Sequence, residues 1–175
     1  MTGSGVARGA PAGDDPDGRG LRIGIVAARF NAEIVEVLVE TARDELRRLG
    51  VRSEDVVLLR VPGAFELPIA ARALLRSAAP PDAVICLGAV IQGETRHFDF
   101  VAGAAADGIL RVGLDSGRPV IFGVLTTNTL AQARDRAEGT YRRGADAARD
   151  AVAMARLLAS PDLAIRRDRG DVHAI

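Results

Sequence analysis

Short apolar runs alternate along the chain with longer stretches in which apolar residues recur every three or four positions. Leu21 to Ala28 is the first run, with Gly24 inside it, and Val35, Leu38, Ala42, Leu46 and Leu49 follow at helical spacing. This predicts a strand and then a helix, with Asn31 able to cap the helix start and Gly50 able to supply the left-handed residue that ends it. The alternation continues. Val56 to Val61 reads as a strand, about Glu66 to Ser77 as a helix, Ala83 to Ala89 as a strand, about Thr95 to Ser116 as a helix, and Pro119 to Leu125 as a strand. Thr129 with Gln132 then forms a capping box for a short helix, and a last helix runs from about Ala145 to Ala159 before Pro161 stops it.

Strands this short and this continuously apolar are buried on both faces, which implies parallel pairing, right-handed crossovers and helices above and below. The predicted fold is α/β: a three-layer flavodoxin-like sandwich with a four-stranded parallel sheet flanked by helices. Residues 1–20 hold six glycines and no periodicity, so they read as a flexible N-terminal extension. Residues 21–159 form the single domain expected of a 175-residue chain, and the charged segment 160–175 reads as a C-terminal tail.

Composition narrows the function classes. Lys plus Arg and Asp plus Glu both number 23, so there is no general electrostatic pull toward nucleic acid. No apolar run approaches the roughly 18–20 residues of a membrane span. The single cysteine, Cys86, sits inside an apolar run, and the first residues lack a signal-peptide pattern, which together point to the cytoplasm. One cysteine and two distant histidines, His97 and His173, make no credible metal site. Aromatic residues are scarce, yet all five phenylalanines sit at or beside predicted strand ends, where they either plug the core or line a ligand cleft.

In open α/β sheets ligands collect outside the carboxyl ends of the strands, which directs attention to Arg29–Asn31, Pro62–Glu66, Gly88–His97 and Thr126–Thr129. Gly88 to Thr95 nearly spells a P-loop, but Glu94 stands where a nucleotide site needs lysine. A triphosphate is therefore excluded, while a single phosphate is not. Gly93 admits close backbone approach, and the next helix start offers N–H groups to an anion. Thr95 can add its hydroxyl or simply cap that helix. His97, in the first turn, feels a dipole that disfavours its protonated form, which suits a proton shuttle. Glu66 at a helix start can cap it or accept from a ligand, and Arg136 can meet helix carbonyls or an anion.

Four segments in order, Arg29-Phe30-Asn31, Pro62 to Pro68, Gly88 to Phe100 and Phe122 to Thr129, resemble the motifs of the lumazine synthase family. The resemblance runs from about Leu21 to Leu158. It implies condensation of 5-amino-6-(D-ribitylamino)uracil with 3,4-dihydroxy-2-butanone 4-phosphate to 6,7-dimethyl-8-ribityllumazine, a transferase step in riboflavin biosynthesis that uses no metal or organic cofactor. It also implies roles: His97 as the catalytic proton shuttle; Phe30, Ala64, Phe65, Glu66, Ala89, Val90, Ile91, Phe122 and Arg143 on the ribitylaminouracil; and Glu94, Thr95 and Arg136 on the butanone phosphate. By the same resemblance Phe122 closes the site of a neighbouring subunit, so the chain is expected in pentamers or multiples of pentamers, up to hollow shells of sixty subunits. A functional association with riboflavin synthase is implied as well.

Three departures from the family pattern stand out. Gln92 replaces a frequent arginine, the loop after Arg136 is about one residue short, and Arg143 falls where lysine is usual, keeping the charge but changing its geometry. They leave a second expectation, a non-catalytic flavin- or lumazine-binding or assembly-scaffold relative, and a third, an unrelated flavodoxin-like binding module.

Overall fold

The computed structural model describes residues 15–139 and 141–161. Four strands, β1 (Ile23–Ala28), β2 (Val56–Val61), β3 (Ala83–Ile91) and β4 (Val120–Thr127), alternate with five helices. These are α1 (Ala32–Arg48), α2 (Leu67–Leu75), α3 (His97–Ser116), α4 (Leu130–Glu138) and α5 (Arg143–Ala159). All strand pairs are parallel in the order β2-β1-β3-β4. The expected flavodoxin-like sandwich is what forms.

Side-chain alternation sorts the core into two layers. Ile23, Ile25, Ile85 and Leu87 pack with Leu38, Leu46, Ala148 and Val152 of α1 and α5. Val26, Val84 and Cys86, on the other face, pack with Leu67, Leu74, Ala105 and Ile109 of α2 and α3. Each large aliphatic removed from water contributes about 1.5–3 kcal/mol, so the two central strands are the firmest part of the molecule and their ends are well fixed. Gly24 faces α2, where a Cβ would meet Leu74 Cδ2 at 2.5 Å, so the residue interrupting the first apolar run permits close helix packing. Gly50 (φ 91°) takes the left-handed turn after α1 that sequence assigned to it.

Several boundaries differ from expectation, each for a local reason. The chain joins the fold before Leu21. Gly18 N–H donates to Leu49 O at 2.7 Å, Arg156 Nε donates to Asp17 O at 2.6 Å, and Asp15 pairs with Arg48 at 2.7 Å. Residues 1–14 of the expected extension and 162–175 of the expected tail, His173 included, lie outside the described residues. Strand β3 runs two residues past Ala89 because β4 also runs on, pairing Val90 with Thr126 and Ile91 with Thr127. Helix α3 starts at His97 with Arg96 in the cap position, and α5 starts at Arg143, after Arg142 in the left-handed region (φ 40°). Helix α2 starts at Leu67, after a 3₁₀ turn over Ala64–Glu66.

The capping expectations divide. Thr129 Oγ1 accepts from Gln132 N–H at 3.2 Å, but the Gln132 carboxamide oxygen accepts from Asn128 N–H at 2.9 Å, one residue upstream of a standard box. Asn31 stands at the α1 N-cap position without capping it. Its backbone is left-handed (φ 56°, ψ 46°), and its Nδ2 instead donates to Ala89 O at 2.8 Å.

Candidate functional site

At the carboxyl edge of the sheet, the ends of β1, β2 and β3 and the first turn of α3 enclose a cavity of about 720 Å³. Its floor is backbone and small side chains of Ala89, Val90 and Ile91, because β3 is central and its last residues project beyond β1. Phe30 enters from the β1 loop. That loop is held to the next one by Arg29 N–H donating to Val61 O at 2.8 Å and Phe30 N–H donating to Pro62 O at 3.1 Å. Asn31, bonded to Ala89, ties the same loop to the floor.

The wall opposite is the 3₁₀ turn. Gly63 N–H donates to Glu66 Oε2 at 2.9 Å, so the carboxylate does cap the turn, and the cap fixes it in the lining. Its second oxygen takes no protein donor among the described residues and is available to a ligand hydroxyl. Phe30 (70% exposed) and Phe65 (61% exposed) stand open at the cavity, where large rings left in water mark a binding surface. The fourth side is Gly93, Thr95, His97, Phe98, Phe100 and Val101. Thr95 Oγ1 accepts weakly from His97 N–H at 3.4 Å, so the hydroxyl serves the helix start and faces the cavity together with the imidazole. With His97 N–H on Thr95 and Asp99 N–H on Arg96 O at 3.1 Å, the start of α3 turns a partly satisfied set of N–H groups toward an anion.

Glu94 is outside the lining, on an exposed turn. Gln92, whose N–H donates to Thr127 O at 2.8 Å, also turns its carboxamide onto the loop, donating to Gly93 O at 2.9 Å. Gln92 thus braces the loop.

Phe122, Arg136 and Arg143 are not in this cavity. They line a second concavity of about 280 Å³ on edge strand β4, with Asp146 and Asp150 of α5, and the two share no lining residue. Phe122 lies within β4 rather than at its end, because its strand extends to Thr127. Partial desolvation within the concavity, with the Asp146 charge nearby, raises the Asp150 carboxyl above its ordinary value although the residue stays exposed. Arg136 NH1 donates to Gln132 O at 3.1 Å, and Arg143 NH1 pairs with Asp146 at 3.4 Å. Both guanidinium groups lie over the ring of Tyr141. Sequence reasoning missed Tyr141 and the roles of Gly63 and Asn31. It also left Phe98, Phe100 and Val101 unassigned, although Phe98 and Val101 lie three apart on one helix and so share a face.

Among the described residues no three His, Cys, Asp or Glu side chains stand close enough to hold a metal ion, and no helix is long and apolar enough to cross a membrane. The 6,7-dimethyl-8-ribityllumazine synthase family model matches residues 20–159. Among similar proteins, the 6,7-dimethyl-8-ribityllumazine synthase of Cupriavidus metallidurans is 48% identical over 146 residues, covering 83% of this chain and 84% of that protein. The enzyme of the same name from Paraburkholderia phytofirmans is 52% identical over 141 residues, covering 81% of this chain and 82% of its own. That of Ralstonia pickettii is 51% identical over 141 residues, with the same two coverages. With the cavity at the sheet edge and these matches across nearly the whole folded region, the chain belongs to the 6,7-dimethyl-8-ribityllumazine synthase family.

Proposed function

We propose that this chain condenses 5-amino-6-(D-ribitylamino)uracil with 3,4-dihydroxy-2-butanone 4-phosphate, releasing phosphate and water, in a site shared by two copies of itself. The observation that carries the reading is the division of the family's site residues between two separate concavities of one protomer. The larger holds the aromatic platform, the hydroxyl acceptor and the imidazole. The smaller holds the cations. A second copy bringing its β4 edge to the first copy's cavity unites them, so the active unit is a homo-oligomer, read as a pentamer or multiple of pentamers.

Within that site the ring of the uracil stacks on Phe30 and faces the backbone of Ala89, Val90 and Ile91. Its ribityl chain runs past Ala64 and Phe65 to the open oxygen of Glu66. The phosphate of the second substrate sits against Thr95 and the start of α3, with Arg136 arriving from the neighbour beside Phe122 and Arg143. The uracil's amine attacks the ketone and water leaves to give an imine. Phosphate is then eliminated, the enol tautomerises to a ketone, and the ribityl-bearing nitrogen attacks that carbonyl, a second water leaving as the ring closes. His97 takes and returns the protons these steps move, a role worth about 10²–10⁴ in rate for a well-placed base. No step needs a metal. The same reading places the enzyme in the cytoplasm, where the buried Cys86 stays a thiol.

Incubation with both substrates tests this directly, following lumazine fluorescence and released phosphate. Turnover of both in equal amounts is expected. Binding of a lumazine or flavin without product above the spontaneous background would replace the catalytic reading with the binding or scaffold one.

A further inference from the structure

Two arginines that line the smaller concavity converge on one ring. Between Arg136 and Arg143 the shortened loop carries Tyr141, which is half-buried. The Arg136 guanidinium carbon lies 5.8 Å and that of Arg143 5.3 Å from the centroid of its ring. Arg142, left-handed at φ 40°, bends the chain between Tyr141 and Arg143 so that two residues close in sequence can meet.

Two guanidinium groups lining one small concavity repel each other and, unrestrained, swing into water. Asp146, shared with Arg149, and nearby Asp150 offset the charge of Arg143, whereas Arg136, among the described residues, is otherwise held by a carbonyl of its own helix and pairs with no carboxylate. The negative face of an aromatic ring attracts a cation within about 6 Å, and a guanidinium stacks on it with its N–H fork left open. We infer that Tyr141 is a positioning residue which gathers Arg136 and Arg143 on one side of the concavity, so that Arg136 is ready to receive the phosphate of the butanone substrate with Arg143 held beside it. A ring that pre-orders both cations lowers the entropy that anion binding would otherwise lose. The inference rests on the shared-site reading above.

The test is steady-state kinetics on the full chain with Tyr141→Leu, Tyr141→Phe, Arg136→Ala and the Tyr141→Leu/Arg136→Ala double variant, beside titration of each with inorganic phosphate by calorimetry. From the usual strength of cation–π contacts, Tyr141→Leu raises KM for the butanone phosphate roughly 3- to 30-fold while kcat stays within about 2-fold. Tyr141→Phe, which keeps the ring, restores KM to within about 2-fold, and in the Arg136→Ala background Tyr141→Leu adds less than about 2-fold. Phosphate affinities follow the same ranking. A Phe variant as impaired as the Leu variant, a loss confined to kcat, or effects that multiply in the double variant would overturn the inference. If the wild type forms no lumazine, the catalytic reading fails and the phosphate titration alone decides. Tighter binding by wild type and Tyr141→Phe than by Tyr141→Leu supports the ring's role, whereas equal or absent binding removes it.

Discussion

Asn31 offers a perturbation whose size follows from two separable terms. Its Nδ2 donates to Ala89 O at 2.8 Å, and its backbone occupies the left-handed region at φ 56°. Replacing it with glycine keeps the backbone conformation and removes the bond, at about 1 kcal/mol. Replacing it with alanine removes the bond and also forces a Cβ without a local polar partner into the left-handed well, at about 1–2 kcal/mol more. The ordering wild type, Asn31→Gly, Asn31→Ala is therefore expected, with a total loss near 2–3 kcal/mol for alanine. With a urea dependence of about 2 kcal/mol per molar, that corresponds to a midpoint lowered by roughly 1–1.5 M. Equilibrium urea unfolding at one fixed protein concentration measures it, since any assembly makes apparent stability concentration-dependent. Because Ala89 O belongs to the cavity floor, both variants should also raise KM for the ribitylaminouracil. An alanine variant as stable as the glycine variant would refute the backbone term, and a glycine variant matching wild type in both assays would refute the strut.

Three further outcomes are expected. His97→Ala lowers kcat by about 10²–10⁴ while the affinity for each substrate, read by equilibrium titration, changes little; an unchanged kcat would remove the imidazole from the proton transfers. Glu45, buried between α1 and α5, bonds Arg48 at 2.8 Å and Arg149 at 2.6 Å, and the Arg48 hydrogen bond holds its carboxyl below the ordinary value despite burial. A lowered folded-state value means that its stabilisation is complete above the unfolded value of 4.5 and is lost as pH falls through the folded one. Urea midpoints of wild type should thus drop more steeply than those of Glu45→Gln below about pH 4.5, and parallel curves would contradict this. Finally, desolvation pushes the Cys86 thiol up to about 12, so a thiol-specific chromogenic reagent at pH 8 should react only in denaturant. Rapid native labelling would show that β3 opens.

What could be read from the chain and what could not follow from the range of each interaction. The strand and helix order was legible because strands such as Ile23–Ala28, buried on both faces, must be continuously apolar, and that is a local pattern. The cavity edge was legible because parallel topology sends all four strand ends the same way. The extra length of β3 was not, since it depends on pairing with Thr126 and Thr127, far away in sequence. Asn31 read as a cap because its type suits one, and only the left-handed backbone redirects its amide to β3. The early entry of residues 15–20 rests on Leu49 and Arg156, contacts invisible to composition. Tyr141 carried no signal by itself; its ring matters through two arginines that a folded loop brings to it.

The placement of His97 and Arg136 in separate concavities of one protomer has, on the shared-site reading, a genetic consequence. On a shared site, a chain lacking the imidazole and a chain lacking the guanidinium carry defects in different halves, and each can supply what the other lacks. Two impaired alleles, His97→Ala and Arg136→Ala, mixed before assembly, would leave about a quarter of the subunit boundaries with both groups by random pairing. Activity of the mixture would then exceed that of either parent.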